Sequence, residues 1–498
     1  MGEGDATGVR PAAGAAGAAA PERAVVNSLG RALTLSAPLP GRAEAFPHRG
    51  DPAFLSARGW VAAKGEHDMG GEAALSKLWR IHGSYYDLSE FKHEHPGGAE
   101  FLDNVAGTDA TVAFEAHHIK HTREQLLSMV AAYKVDLALP EHAELKAAAG
   151  RAGARFEQPF TFAEGGFYDV CKRRVREHLR RVGSPSGEPS AEMYGVLLAV
   201  NLQWLAVALL AARTGRKSLA VLAGALLLGV WGSGHEAFHQ GKKDKRLSLF
   251  RYCIGLTGFC HHEQMVTHSL SHHLLPNTFL DWEVFAWLPV GVGWLTSEKL
   301  QTVKPMAQWR LWPAAFSFGT FAGNLARALP GAVRRPSELT TLGVLALFCA
   351  LGGPRRGLRQ WLIMNLTFGL YFPLLGLMVH HSYDERQEPV AWHEGEPGAE
   401  SDFGLHQVIS TSDHSPDLSL YSSLMLTAML NTHTSHHLFP TVSHSHHRAI
   451  TRDIIAPTLL EFGHKYRAHS ALDLAKGFIR MLETRRYKPL DHPQDAKL

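Results

Sequence analysis

Cysteine is scarce. Cys171, Cys253, Cys260 and Cys349 are scattered through 498 residues without CxxC spacing. That pattern excludes a disulfide framework and a thiolate zinc module, and it points to ordinary buried thiols in a reducing compartment. An excess of one charge is lacking too. Lys+Arg 50 against Asp+Glu 47 leave a net charge of +3. Binding to phosphate backbones needs a concentrated basic face, so no nucleic-acid partner is expected. The opening stretch "MGEGDATGVRPAAGAAGAAAPERA" has no unbroken apolar segment and few arginines, unlike a secretory or mitochondrial leader. Ala6 removes the myristoylation pattern. Residues 1–45 read as a disordered Ala/Gly-rich tail, and no repeat of fixed period is evident.

Two things are abundant. The first is histidine, 31 residues in all, the commonest metal ligand and one whose excess has no packing explanation. The second is uncharged apolar sequence. "MYGVLLAVNLQWLAVALLAA" (193–212) is long enough to span a bilayer. After the short turn "RTGRKS", "LAVLAGALLLGVWGSG" (219–234) returns the chain to His235. Further apolar runs cover 282–296, 311–329, 339–353 and 360–379, the first and third short enough to be interfacial. Mean hydropathy is only −0.11 because the soluble parts dilute these runs. Ahead of them, "FYDVCKRRVREHLRRVG" reads as a basic amphipathic juxtamembrane helix, its basic face turned to lipid or to solvent.

The stretch 78–122, "LWRIHGSYYDLSEFKHEHPGGAEFLDNVAGTDATVAFEAHHIKHT", resembles cytochrome b5. "WRIHGSYYDLSEF" matches the lead into the heme loop, "HPGG" the loop itself, and "AGTDATVAFEAHH" the helix to the second ligand. The resemblance implies a heme b held by two axial histidines. Such a heme has no open coordination position and is left with one-electron transfer. His95 is then the first ligand. For the second, His117, His118 and His121 all lie near the expected place; A-F-x-x-x-H favours His118, with His121 the alternative. Pro96, Gly97 and Gly98 suit a tight turn beside a flat cofactor.

Three histidine boxes follow: "GHEAFH" (His235, His239), "HSLSHH" (His268, His272, His273) and "HTSHH" (His433, His436, His437). Spacing of i, i+4 or i, i+3, i+4 brings imidazoles onto one helix face within reach of one centre. Eight imidazoles exceed what one tetrahedral zinc uses, and thiolate-free ligation suits iron. The pattern HxxxH, HxxxHH, HxxHH resembles the membrane fatty-acid desaturase/hydroxylase superfamily, with "HHLLPNT" and "LNTHTSHHLFPTVSH" matching desaturase flanks. From about residue 50 to 465, the order of motifs, including "RGWVAAKG" (58–65) and "FTFAEGGFYDVCKRRV" (160–175), is closest to its members fused to a cytochrome b5 domain.

What the resemblance implies is specific. A small α+β cytochrome b5-like heme domain (50–140) precedes a linker and juxtamembrane helix (141–192). An all-α multi-pass membrane desaturase domain (193–470) and a C-terminal tail (471–498) follow. The eight box histidines hold two non-heme iron ions, with His381 a possible extra ligand. His406 is a less favoured candidate, and His444, His446 and His447 are expected to be solvated or to support the ligands. His433 stands where many fused desaturases have Gln. Asn277 and Asn431 are candidates for supporting or capping roles. The implied reaction uses dioxygen and single electrons to desaturate a fatty acyl chain. Hydroxylation by the same site, or an idle heme- and lipid-binding protein, are the alternatives. NADH-cytochrome b5 reductase is the implied electron source, and the endoplasmic-reticulum membrane the implied location, with heme domain and boxes cytosolic. Attachment alone raises the local donor concentration, so no tight docking surface is required. All boxes must meet on one side of the membrane. The basic clusters "GKKDKR" (241–246) and "PRRGLR" (354–359) are expected on that side, and "RTGRKS" on the other.

Overall fold

A computed structural model describes residues 23–26, 32–35, 57–153, 160–240, 244–276, 281, 283, 310–332, 340–382, 402–466 and 468–484. Within the expected disordered tail, β1 (Arg23–Val26) and β2 (Ala32–Leu35) pair antiparallel. Their sequences, RAVV and ALTL, carry the β-branched residues that suit a strand.

The N-terminal unit is α+β, as expected. It contains α1 (Ala57–Met69), the hairpin β3 (Trp79–Ile81) and β4 (Ser84–Tyr86), then α2 (Ala99–Asp103), α3 (Thr111–His117) and α4 (Arg123–Met129). Trp79 packs inward and its indole N–H donates to the Leu102 carbonyl at 2.8 Å, tying the hairpin to α2. Thr122 and Gln125 form a capping box that starts α4. Helix α5 (Ala143–Gly153) packs back on this unit through Ala148 and Ala152.

The basic helix α6 (Phe167–Arg181) is neither a lipid-facing nor a fully solvated element. Lys172 and Arg176 are buried against the N-terminal unit. Lys172 Nζ donates to the Glu115 carboxylate at 3.0 Å and to its carbonyl at 2.6 Å. Arg176 donates to the carbonyls of Ile119 and His121. Glu115 also pairs with His82 and Arg123. Burial alone would raise the Glu115 pKa, but the His82 hydrogen bond and the Lys172 and Arg123 charges hold it well below the carboxylate range. The two halves therefore share a docked, hydrogen-bonded surface that the sequence did not demand. Interiors this closely satisfied are costly to open.

Helices α7 (Ala191–Thr214) and α8 (Lys217–His239) form the expected hairpin, turned at Gly215 in a left-handed conformation (φ 70°). The apolar helices α9 (Trp312–Ala332), α10 (Thr340–Gly352) and α11 (Pro354–Met378) follow. Among the described residues, three helices, α7, α8 and α11, are long and apolar enough to cross a membrane; α10 is shorter. The expected run 282–296 lies outside the described residues apart from Glu283. At the turn of the first hairpin, Gln360 Nε2 donates to the Gly215 carbonyl at 2.8 Å. This places "PRRGLR" beside "RTGRKS", at the end away from the histidines, and corrects the expectation that the two clusters face opposite sides. The reason is helix length: α11 runs 25 residues, about 37 Å, before reaching the histidine end.

The C-terminal half is helical apart from a two-residue parallel pair, Asp413–His414 with Ala468–His469, and an isolated bridge from Thr161 to Asp402. It includes α12 (Phe403–Ile409), α13 (His433–Leu438), α14 (His444–Ile450) and α15 (Ala471–Thr484). Helix α15 replaces the first half of the expected C-terminal tail. Leu474, Phe478, Met481 and Leu482 recur at helical spacing and bury against Phe316, Leu377 and Met378.

Candidate functional site

Helix α8 ends at the first box, so His235 and His239 project from one face one turn apart. Gly234 makes room for this end: a methyl group there would meet the Ile254 backbone nitrogen at 2.6 Å. The second box lies on a π-helical stretch, Met265–His272. The His273 N–H donates to the His268 carbonyl, an i to i+5 bond of 2.9 Å. The wider winding brings His268 and His273 to one side. The third box is α13.

The box histidines converge, but not box by box. One group comprises His235, His239, His268, His273 and His436; the other comprises His272, His380, His433 and His437. Within each group one ligand atom per residue lies within 4.8 Å of the others, and all nine side chains are buried. Neighbours in sequence serve opposite groups, His272 against His273 and His436 against His437, because consecutive helical residues point about 100° apart. The third box thus straddles both groups instead of serving one centre. His273 and His437 stack at 4.4 Å where the groups meet.

His380 takes the place expected of His381. Its Nε2 lies 3.0 Å from His272 Nε2 and 2.7 Å from His433 Nε2. His381 is buried 6.2 Å away, ring to ring, outside both groups. Helix α11 stops at Met378, and the amides of His380 and His381 both turn back to the Leu377 carbonyl. That turn decides which of the adjacent rings enters.

The far nitrogens explain what the group can hold. His380 Nδ1 donates to the Ser410 carbonyl at 2.7 Å, so its Nε2 carries a lone pair. His268 Nδ1 donates to Glu283 at 2.8 Å, and its Nε2 faces His235 at 2.8 Å and His273 at 3.0 Å. His272 Nδ1 bonds Asp281 at 3.2 Å, and His437 Nδ1 faces the Gln407 amide oxygen at 3.1 Å. Burial would depress the His272 pKa, but the Asp281 and Glu283 charges push it up to about 9, so a metal bound there would have to displace a proton from its ring. Other imidazole nitrogens, including His235 Nδ1, His433 Nδ1 and both of His436, are buried without hydrogen-bond partners. Converging lone pairs backed by carboxylates and carbonyls are the arrangement of metal-ligating imidazoles. Two ligand sets made only of imidazole nitrogen suit two first-row transition-metal ions, a class that includes iron. Gln407 follows His406 in "DFGLHQV" and matches the family pattern, whereas Asp281, Glu283 and the Ser410 carbonyl are not singled out by any sequence signature.

Other candidates resolve differently. His406 Nε2 donates to the Pro276 carbonyl at 2.9 Å, pinning the chain after the second box. Asn431 accepts from Thr427 at 3.1 Å and donates to the Ser415 carbonyl. It holds the turn through Ala428 and Met429, both at positive φ, and faces no metal group. Asn277 lies outside the described residues. His446 bonds the Glu188 carbonyl, whereas His444 and His447 are buried, not solvated.

The residues expected to hold heme line a cavity of about 310 Å³. His95 and His118 face one another across it, ring centroids 5.9 Å apart. His118 Nδ1 donates to the Phe114 carbonyl at 2.8 Å, leaving the Nε2 lone pair available as a ligand. Burial pushes the His118 pKa down to about 4, which keeps it neutral. Gly97 is required here: a methyl group would lie 2.9 Å from His95 Cε1, and Gly98 has φ 96°. His121 lines the same cavity but is only partly buried, and His117 Nδ1 bonds the Ala113 carbonyl. The apolar wall and paired imidazoles fit a heme. Part of that wall comes from the histidine boxes themselves: Phe238, His239, Ser269, Leu270 and Thr441.

A helical scaffold with long apolar hairpins, paired nitrogen clusters and an adjoining heme-type pocket defines a membrane oxidoreductase class. The chain belongs to the fatty acid desaturase family: residues 217–470, just over half of it, match that family's model. Residues 65–136 match the cytochrome b5-like heme/steroid binding domain. The chain is 30% identical to the cytochrome b5-related protein of Drosophila melanogaster, over 81% of this chain and 86% of that one. It is 24% identical to an acyl-lipid (7-3)-desaturase of Chlamydomonas reinhardtii, over 80% and 79% of the two chains. Human cytochrome b5 type B is 47% identical over 55 residues, 11% of this chain and 37% of that protein.

Proposed function

We propose that the protein desaturates a fatty acyl chain, using dioxygen and electrons relayed through its own heme domain. The observation that carries this reading is the contact between the two machines: His239 belongs to the first histidine group and also lines the heme cavity. When bound, heme b would supply single electrons, and two irons would use them to reduce dioxygen while two hydrogens leave the acyl chain. His95 and His118 would hold the heme. His235, His239, His268, His273 and His436 would hold one iron, and His272, His380, His433 and His437 the other.

The protein's own contribution is placement and exclusion. Asp281, Glu283, Gln407 and the Ser410 carbonyl fix the tautomers and ring directions of the ligands. The buried surroundings keep bulk water from the reacting site. Docking through Lys172, Arg176 and Glu115 keeps the heme pocket against His239. The reading includes an endoplasmic-reticulum location with the histidine end cytosolic, and reduction by NADH-cytochrome b5 reductase.

Expression in a desaturase-deficient host, with total lipid profiling, tests it. The chain is expected to introduce a double bond, and the His436→Ala chain none. A new hydroxyl instead would replace desaturation by hydroxylation. An unchanged profile from a fully metal- and heme-loaded chain offered candidate acyl lipids would overturn the enzymatic reading.

A further inference from the structure

The nine histidines of the two groups leave a surplus on α14. His444 and His447 lie one turn apart on this helix, both buried, and neither belongs to the pair of groups. His444 Nδ1 donates to Glu236 Oε2 at 2.6 Å. The same carboxylate accepts the Ser443 hydroxyl at 2.5 Å and the His444 amide at 3.2 Å. The carboxylate accepts here, so the ring proton sits on Nδ1 and a neutral His444 would present the lone pair of Nε2, which is buried without a partner. His447 Nδ1 bonds the Ser435 hydroxyl at 2.7 Å, and its Nε2 is likewise buried and unpartnered. Between them and the first group stands His436, both of whose nitrogens lack partners. Its ring lies 4.5 Å from His273 on one side and stacks on His444 at 4.6 Å on the other.

We propose that His436, His444 and His447 hold a third metal, a first-row divalent cation of the zinc(II) or iron(II) class, beside the first histidine group. One nitrogen from each residue lies within 4.8 Å of the others. Three imidazoles, one backed by a carboxylate, form the kind of donor set that binds such ions while leaving a coordination position open. Glu236 sits between His235 and His239 in the first box, so the carboxylate that aims His444 is built into the neighbouring group's helix. An imidazole has two nitrogens, so His436 would serve both ions by giving one nitrogen to each, which releases one proton from its ring and leaves an imidazolate bridge. The site needs no assumption about the lipid reaction, and a metal count separates its failure from that of the pair.

The test uses the full chain, loaded with heme and supplied with iron and zinc. Non-heme metal is measured by plasma mass spectrometry against heme quantified by absorbance. Three non-heme metals per heme are expected, and two in His447→Gln with the heme spectrum unchanged. Glu236→Gln should hold the third ion about 10–100-fold more weakly in a competition with a zinc chelator. Anomalous scattering should place a peak among His436, His444 and His447. Two metals in both the native and His447→Gln chains would overturn the proposal. So would loss of all non-heme metal in His447→Gln with heme retained, since His447 would then be supporting the pair.

Discussion

His380 and His381 show how much a single residue step decides. His380 joins His272, His433 and His437, while His381 is buried outside the group. Replacing His380 with Ala should remove metal from the second group and abolish lipid modification, whereas His381→Ala should keep both. Non-heme iron per heme, measured on both variants, checks this. The boxes were legible because their spacing is a local property of a helix. The choice between His380 and His381 was not, because it depends on where α11 stops and how the next turn folds. Two histidines that line the N-terminal cavity, His117 and His118, make a second prediction at this scale. Burial lowers the pKa values of His117 and His118 to about 4, below the ordinary 6.5. Both are neutral in the folded state until the pH nears 4, while the unfolded chain takes up protons from about 6.5 downward. The stability of the heme-free protein is therefore intact above 6.5 and falls progressively between 6.5 and 4. Thermal unfolding of the apoprotein across that range measures it, and a flat profile would contradict the neutral, buried rings.

Among the elements, α6 departs furthest from its sequence. Six Lys and Arg residues on a strongly amphipathic helix suggested lipid or water on the polar face. Two of them, Lys172 and Arg176, instead reach carbonyls of the N-terminal unit, partners that lie more than fifty residues earlier in the chain. No local pattern encodes that meeting. Lys172→Met should destabilise the docked state by about 1.5–3 kcal/mol, the usual worth of hydrogen bonds to a charged group. Faster proteolysis between the two halves and a lower melting temperature are the expected signs, while His95 and His118 still bind heme. Helix α15 is the opposite case: its apolar spacing is local and plain in "ALDLAKGFIRMLET", and the first part of the segment expected as a C-terminal tail packs as a helix on Phe316, Leu377 and Met378.

Across the whole molecule, the order of the two halves and the family of each are readable from motifs. Their mutual placement is not. Contacts such as Thr441 to the His117 carbonyl join residues more than three hundred positions apart. The cavity proposed for heme is walled by Phe238, His239 and Leu270, so it lies directly against the histidine groups rather than on a separate tethered unit. Reoxidation of the reduced heme in the presence of dioxygen and substrate should therefore be first order and independent of protein concentration. Adding excess soluble cytochrome b5 should leave that rate unchanged in stopped-flow absorbance. A rate that rises with either would mean that heme domains exchange between molecules.

The bond from Gln360 to the Gly215 carbonyl gives the apolar helices a mechanical role. Helices α8 and α11 stay together beyond that point: a methyl group at Gly224 would run into the Met364 carbonyl, and the Trp231 ring lies 4.5 Å from that of Phe372. Each carries imidazoles at or just beyond its far end. Over a helix of about 37 Å, a tilt of about 2° displaces the end by more than 1 Å. That is a large error for a site in which a misplacement of about 1 Å costs about 100-fold in rate. The bond at Gly215 and the close packing at Gly224 and Trp231 together suppress such a tilt and so set the spacing between His239 and His380.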